Sequence, residues 1–308
     1  MTAYIVRRIL LLFPSLLIVF TITFLLMHAT PGGPWDRNER PLPQNVIDTL
    51  NAKYGLDKPI WEQYGIFLSD VLHGDLGQSY SHYGQDVSTI IVSFFPVSFQ
   101  LGSAAMGVAL VLGISLGLVS GVNHNSSRDY LASFFSVVGI STPNYVVATV
   151  LIIIFAIYLG WLPTGGWDGI FSVKIIIPVI ALALAPMALI ARYTRSSVLD
   201  VFHRDYVRTA RAKGLKEQSI LIRHVLRNAL VPVVTVAGIA FAEIVTGSFF
   251  VESVTAVPGI GRYFVTSVSG RDYPVIIGTT LLFAAIVMIM NLVVDIAYVY
   301  LDPRVRYN

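Results

Sequence analysis

Residues 97–121 read VSFQLGSAAMGVALVLGISLGLVSG, from Val97 to Gly121, without one Asp, Glu, Lys or Arg. At 1.5 Å per residue, a helix of that length covers the roughly 30 Å hydrocarbon core of a bilayer. Working outward, similar runs appear at 9–28, 130–159, 175–198, 229–251 and 275–300. Each reaches the roughly 20 residues that a spanning helix needs. The expected fold class is therefore all-α, a polytopic membrane protein with six transmembrane helices. Composition agrees. Charged residues make up 13% of the 308-residue chain and hydrophobic residues 55%, whereas a soluble domain is about 25% charged. A chain so poor in charge cannot cover a water-facing surface.

Proline marks the expected boundaries. Pro96, Pro232 and Pro274 are read at or just before helix starts, where a missing N–H costs little. Asp302-Pro303 closes the last span. Pro143, Pro178 and Pro186 fall inside the third and fourth spans and predict kinks.

Charge sets the expected orientation. Arg7 and Arg8 precede the first span. Segment 29–95 carries Arg37, Arg40, Lys53 and Lys58 against eight acids, net −4. Segment 192–228 carries nine Lys and Arg against Asp200, Asp205 and Glu217, net +6. Arg304 and Arg306 follow the last span. Six spans with both termini in the cytosol satisfy all four counts. The chain then divides into a cytosolic N-terminus and first helix (1–28), an extracytoplasmic loop (29–95) and a five-helix core (96–308) containing a cytosolic loop (199–228). The first apolar run is too long for a cleaved signal peptide, so it is expected to be retained.

The outer loop carries its own signals. Pro31-Gly-Gly-Pro34 breaks the first helix. Asp57 is read as the cap of a short amphipathic helix, with Ile60, Tyr64, Phe67, Leu68, Val71 and Leu72 at helical spacing and His73-Gly74 as its end. Such a stripe packs on the spans or on the membrane surface before it meets a partner.

Several motifs carry no chemistry. Gly113-Ile-Ser-Leu-Gly117 matches a nucleophile elbow but lies inside an apolar run with no strand before it, so no catalytic residue is assigned. The same glycines, Gly113, Gly117 and Gly121, recur every fourth residue and allow another helix backbone to come close. Asn125-Ser-Ser127 matches a glycosylation sequon but falls in a loop placed in the cytosol. The six histidines show no metal-ligand spacing, and the chain has no cysteine, which excludes disulfides and thiolate sites. There is no Gly-Lys-Ser/Thr phosphate loop, so no cofactor is assigned to this chain. Nothing indicates nucleic acid.

Glu243, Asn291 and Asp295 lie within the fifth and sixth spans. A carboxylate there is expensive and faces protein or water. The bland reading is a hydrogen bond between helices; the functional one is a polar point on a translocation path. A proton-driven transporter working through Glu243 is one alternative class, and a membrane enzyme or anchored scaffold another.

The basic loop holds Asp205, Arg208, Thr209, Ala210, Arg211, Ala212, Lys213, Gly214 and Leu215. Asp205 is read as the cap of a short helix and Gly214 as its left-handed stop. Arg208 and Arg211 stand three apart and share a face. Thr209, Ala210 and Ala212 are small enough to sink into a partner's groove, a dock that Gly214→Pro is expected to break and Ala210→Trp to overfill. The bland alternatives are topology alone and attraction to anionic lipid.

At these residues the chain resembles the membrane subunits of ABC-type importers. That family's loop pattern is Glu-Ala-Ala, three residues, Gly, nine residues, Ile-x-Leu-Pro. Ala210, Gly214 and Leu226 match it, while Arg208, Thr209, His224 and Arg227 depart from it. The departures are typical of the peptide and nickel branch. Tyr54-Gly-Leu-Asp-Lys-Pro59, His73-Gly-Asp-Leu-Gly77, Phe95-Pro-Val-Ser98, Trp161-Leu-Pro-Thr-Gly-Gly-Trp167, Val257-Pro-Gly-Ile-Gly261, Arg271-Asp-Tyr273 and Asp302-Pro-Arg304 are similar to that branch in order along the chain. The Pro31–Pro34 and Gly165–Trp167 stretches are most similar to the B subunits of oligopeptide permeases.

The resemblance implies a type I importer fold and a set of partners. These are a homologous second permease, two ATPase subunits that bind ATP and Mg, an extracytoplasmic binding protein and a peptide substrate in a prokaryotic inner membrane. It also implies that residues 205–214 form the coupling helix seated in an ATPase, and that this chain supplies half the wall of the path.

Overall fold

The computed structural model describes residues 2–35, 43–246 and 249–301. Arg37, Arg40 and their acidic neighbours Asp36 and Glu39 lie outside the described residues, as do Asp302-Pro303, Arg304 and Arg306. Among the described residues the chain is helical and forms no strand; Gln78 and Asp86 make an isolated antiparallel bridge.

Five helices are long and apolar enough to cross a membrane. They are α1 (Thr2–Ala29), α4 (Val87–Val122), α7 (Ile176–Phe202), α10 (Arg227–Val245) and α13 (Tyr273–Leu301). A sixth crossing is built from two pieces, α5 (Ser127–Ser141) and α6 (Asn144–Leu151, continued as π-helix over Ile152–Tyr158), which meet at 103°. Around these lie α2 (Gln44–Tyr54), α3 (Ile60–Leu72), α8 (Asp205–Ala212), α9 (Glu217–Ile220), α11 (Phe249–Val254) and α12 (Ile260–Gly270). A π stretch, Leu221–Leu226, joins α9 to α10.

The run 130–159 is thus broken rather than kinked. Pro143 forces its predecessor out of the α region, and the chain restarts at Asn144 with Pro143 as N-cap. Elsewhere proline interrupts less than its chemistry suggests. Pro96 lies well inside α4, which starts ten residues earlier than the expected span, and Pro232 lies inside α10. Pro178 falls in the first turn of α7, where it removes an N–H that has no partner anyway. Pro186 is interior to α7. At the fifth span, α10 ends at Val245 and α11 is a separate turn, so the expected end at 251 overruns.

Among the described residues, segment 29–95 holds two helices before α4, of which α2 carries no buried residue and is not legible as a helix in the sequence. Pro59, not Asp57, stands at the N-cap of α3, and no side chain caps it. The α3 stripe packs on α1, where Tyr64 meets Phe20 and Phe24 and Phe67 meets Phe24, while Leu68 and Val71 pack against the same cluster. Ile60 and Leu72 stay exposed.

Glycine sets the tightest packing. A side chain on Gly113 would strike the Met187 carbonyl and Ile190. One on Gly117 would strike the Ala191 carbonyl and Thr194, and one on Gly121 would strike Val198. Both series ascend together, so α4 and α7 run parallel, in contact along three turns. Gly102 meets Ile244 and Val245 of α10. The shared core of these helices contains Leu101, Ala105, Ala109, Leu182, Ile190, Val233 and Ile244. Outward faces carry exposed Phe13, Leu26, Val111, Phe134 and Ile157, the pattern of a molecule whose solvent is lipid.

Candidate functional site

Helix α8 sits at the end of the bundle where α7 stops and α10 begins. Asp205 is its first helical residue rather than its cap. Arg204 takes the cap position and no side chain bonds there. Asp205 still places a negative charge in the first turn, where the helix dipole favours it. Gly214, at φ +74°, supplies the left-handed stop, and its N–H donates to the Arg211 carbonyl at 2.9 Å.

The two faces of α8 differ sharply. Val207 and Ala210 are buried against Val198, Ile220, Val225 and Ala229, so the helix is braced from behind by the ends of α7 and α10. Ala210 therefore fills a pocket of its own chain and is unavailable to a partner's groove. Ala210→Trp would disrupt that internal packing, which makes it unsuitable as a docking test. Arg208, Thr209, Ala212, Lys213 and Leu215 remain exposed. Arg211 belongs to the brace as well. Its Nε donates to Glu217 Oε1 at 2.8 Å, and its guanidinium lies 5.3 Å from the Phe202 ring centre. The other exposed basic side chains here are Arg204, Lys213, Lys216 and Arg208, the last 3.7 Å from Asp205 Oδ1. The Arg211–Glu217 pair spans six residues across the Gly214 turn, a spacing that helical periodicity does not flag.

The intramembrane polar residues separate into different environments. Asp295 forms an ion pair with Arg8 at 2.8 Å, which ties α13 to the first turns of α1. Asn291 is exposed one turn away and, with Arg8 and Ser15, lines a cavity of about 220 Å³. Among the described residues, Glu243 makes no side-chain bond across a helix interface. It is exposed on α10 and lines a groove of about 470 Å³ between α6, α7, α10, α11 and α12, at the bundle end opposite α8. The groove's other lining is mainly apolar, including Pro186, Phe249, Phe250 and Phe264.

Three buried carboxylates escaped the sequence reading. Asp129 is held by Arg195, by the Ser120 hydroxyl at 2.5 Å and by the Asn125 N–H at 3.0 Å. Asp272 accepts the Ser79 hydroxyl at 2.5 Å and the N–H groups of Tyr80 and Ser81 at 3.0 Å, which pins the loop before α4 to the start of α13. Glu252, on α11, accepts Ser98 Oγ at 2.7 Å, and the same hydroxyl oxygen accepts the Ile260 N–H at 2.9 Å. A serine within α4 thereby links α11 to the start of α12. Burial pushes the Glu252 carboxyl up to about 7, opposed in part by Ser98 and by the nearby Arg262 and Gly261 amides. Oε2 itself makes no bond of good hydrogen-bond geometry. Among the described residues, no group of three or more His, Asp or Glu side chains is placed to hold a metal.

The chain matches known proteins in sequence and in fold. Residues 109–307 match the family described as the binding-protein-dependent transport system inner membrane component, and residues 1–102 match its N-terminal family. The chain belongs to this family of transport-system membrane components. It is 43% identical over 307 residues to the oligopeptide transport system permease protein OppB of Haemophilus influenzae, covering all of both chains. It is 42% identical to the OppB of Escherichia coli over the same length. It is also 42% identical over 308 residues to the dipeptide transport system permease protein DppB of Bacillus subtilis, covering 99% of that protein. In fold it is similar to a chain of the inward-facing MetNI methionine ABC transporter. The TM-score is 0.58 at 17% identity, covering 69% of this chain and 96% of that one. A chain of an amino acid ABC transporter aligns with TM-score 0.53 at 18% identity, covering 75% and 97%.

Proposed function

We propose that this chain is the transmembrane permease subunit of an ABC importer for oligopeptides. The observation that carries the reading is its full-length likeness to permease proteins of oligopeptide and dipeptide systems, end to end and at 42–43% identity. A dipeptide or nickel-chelate permease of the same branch is the neighbouring alternative. In the proposed assembly the chain pairs with a homologous permease. Two ATPase subunits, which carry ATP and Mg, bind beneath, and an extracytoplasmic binding protein delivers peptide from above. Both termini face the cytosol of a prokaryotic inner membrane, and α8 is the coupling helix.

The form of α8 supports that role. A short rod anchored at both ends and backed by Val207 and Ala210 passes a push on its outer face to α7 and α10, instead of folding away from it. Arg208 and Lys213 present positive charge on that face to an acidic groove. Purification in mild detergent tests the scheme. Co-purification of an ATPase pair and a second permease, with ATP-dependent uptake of a peptide in vesicles, is the expected result. A chain that purifies alone and transports nothing overturns it.

A further inference from the structure

We infer that the groove around Glu243 receives the amino-terminal end of the transported peptide, with the Glu243 carboxylate pairing with the peptide's α-ammonium group. This rests on the peptide reading above and adds to it a ligand chemistry and a residue.

Glu243 lies two residues before the end of α10, exposed in a groove whose other lining is mainly apolar, and makes no ion pair among the described residues. Two other carboxylates on the long helices and the broken span have a cation of their own. Asp295 has Arg8, and Asp129 has Arg195. Keeping a carboxylate beside apolar groove walls is costly unless it meets water or a cation for at least part of the cycle. The groove has the size and lining of a small-molecule site, at about 470 Å³, mostly apolar with few polar groups. Phe249, Phe250 and Phe264 give side-chain surface that tolerates many residue types, and Asn144 adds an amide. Every peptide with an unblocked amino end shares the α-ammonium whatever its side chains. A single carboxylate in an otherwise unselective groove therefore orients the backbone without selecting the sequence. No basic side chain lines the groove, so an acidic ligand has nothing there to pair with.

Val265 also lines the groove, and the chain has no native cysteine. A Val265→Cys variant therefore places one thiol of this chain at the site. The complete detergent-solubilised transporter, without binding protein, is treated with a small water-soluble thiol reagent in the presence of millimolar tripeptide. The expected result is that a tripeptide with a free amino end slows labelling, that its N-acetylated analogue does so at about tenfold higher concentration or not at all, and that Glu243→Gln removes the difference. Equal protection by both peptides, or protection unchanged by Glu243→Gln, overturns the inference. So does an absence of protection in an assembly that imports peptide normally, and this outcome leaves the peptide reading standing. A Glu243 occupied by a cation of the second permease would give that last pattern. An assembly that imports no peptide removes both.

Discussion

Asp129 and Arg195 meet through two parallel contacts, Nε to Oδ1 at 2.6 Å and Nη2 to Oδ2 at 2.8 Å, and so clamp the start of α5 to the end of α7. The acid is 2% exposed and the base 30%. That asymmetry decides which deletion hurts. Arg195→Ala leaves the buried carboxylate with Ser120, the Asn125 N–H and His124 but without its guanidinium, and is expected to cost up to about 3–5 kcal/mol. Asp129→Asn leaves a base that can turn to water and costs less, and the double variant recovers part of the Arg195→Ala loss. Thermal unfolding of the four combinations in detergent checks the order.

Gly117 makes the closest approach of α4 to α7. Any Cβ there meets the Ala191 carbonyl and Thr194, backbone and branched side chain that have no slack. Gly117→Val is expected to destabilise the chain by at least about 1–3 kcal/mol and to lower its yield in the membrane. Gly107→Val, with open space around the added side chain, serves as the control on the same helix. Equal yields and melting temperatures for the two would refute the close-packing account.

What was legible in the sequence is what a one-dimensional pattern can hold. Apolar length gave the five continuous crossings because lipid demands an internally bonded backbone, and a sixth run that the structure breaks at Pro143. Glycine at every fourth residue gave a contact face, though not the identity of α7 as its partner. Pro143 gave an interruption but not its 103° size, which depends on how α5 and α6 each pack on α7. The buried carboxylates stayed hidden because their partners are remote in sequence. Ser98 and Glu252 are 154 residues apart, and Ser79 and Asp272 are 193 apart. Ala210 illustrates the opposite error. Its small size suggests a docking surface, yet in a short helix tethered at both ends small residues also serve the inner face.

Under the coupling role proposed for α8, Gly214 is where coupling can be separated from folding. Its φ of +74° lies far from the −65° that proline requires, and its N–H is bonded to Arg211. Gly214→Pro is expected to unwind the last turn of α8 while the spans, packed elsewhere, still insert. ATP hydrolysis would then continue with peptide uptake reduced about tenfold or more, by analogy with a hinge that no longer transmits motion. Gly214→Asn, which tolerates the left-handed region, should retain most uptake. Uptake and hydrolysis falling in step in both variants would show that position 214 serves assembly, not transmission.

Glu252 gives the chain a pH dependence with a definite sign. Its folded carboxyl stands at about 7 against an ordinary value of 4.5, because burial opposes the charged form. Between those values the folded state holds a proton that the unfolded state has released, so stability declines as pH rises. The contribution is complete below the unfolded value and is lost as pH passes the folded one. Melting temperature in detergent should fall from about pH 5 to about pH 8, and Glu252→Gln, which keeps a partner for Ser98 but cannot ionise, should flatten that slope. Ser98→Ala removes the hydroxyl shared by Glu252 and the Ile260 N–H, so it should loosen α11 and α12 from α4 at every pH. A melting profile for Glu252→Gln that still tracks the wild type across this window would mean that the decline arises elsewhere in the chain.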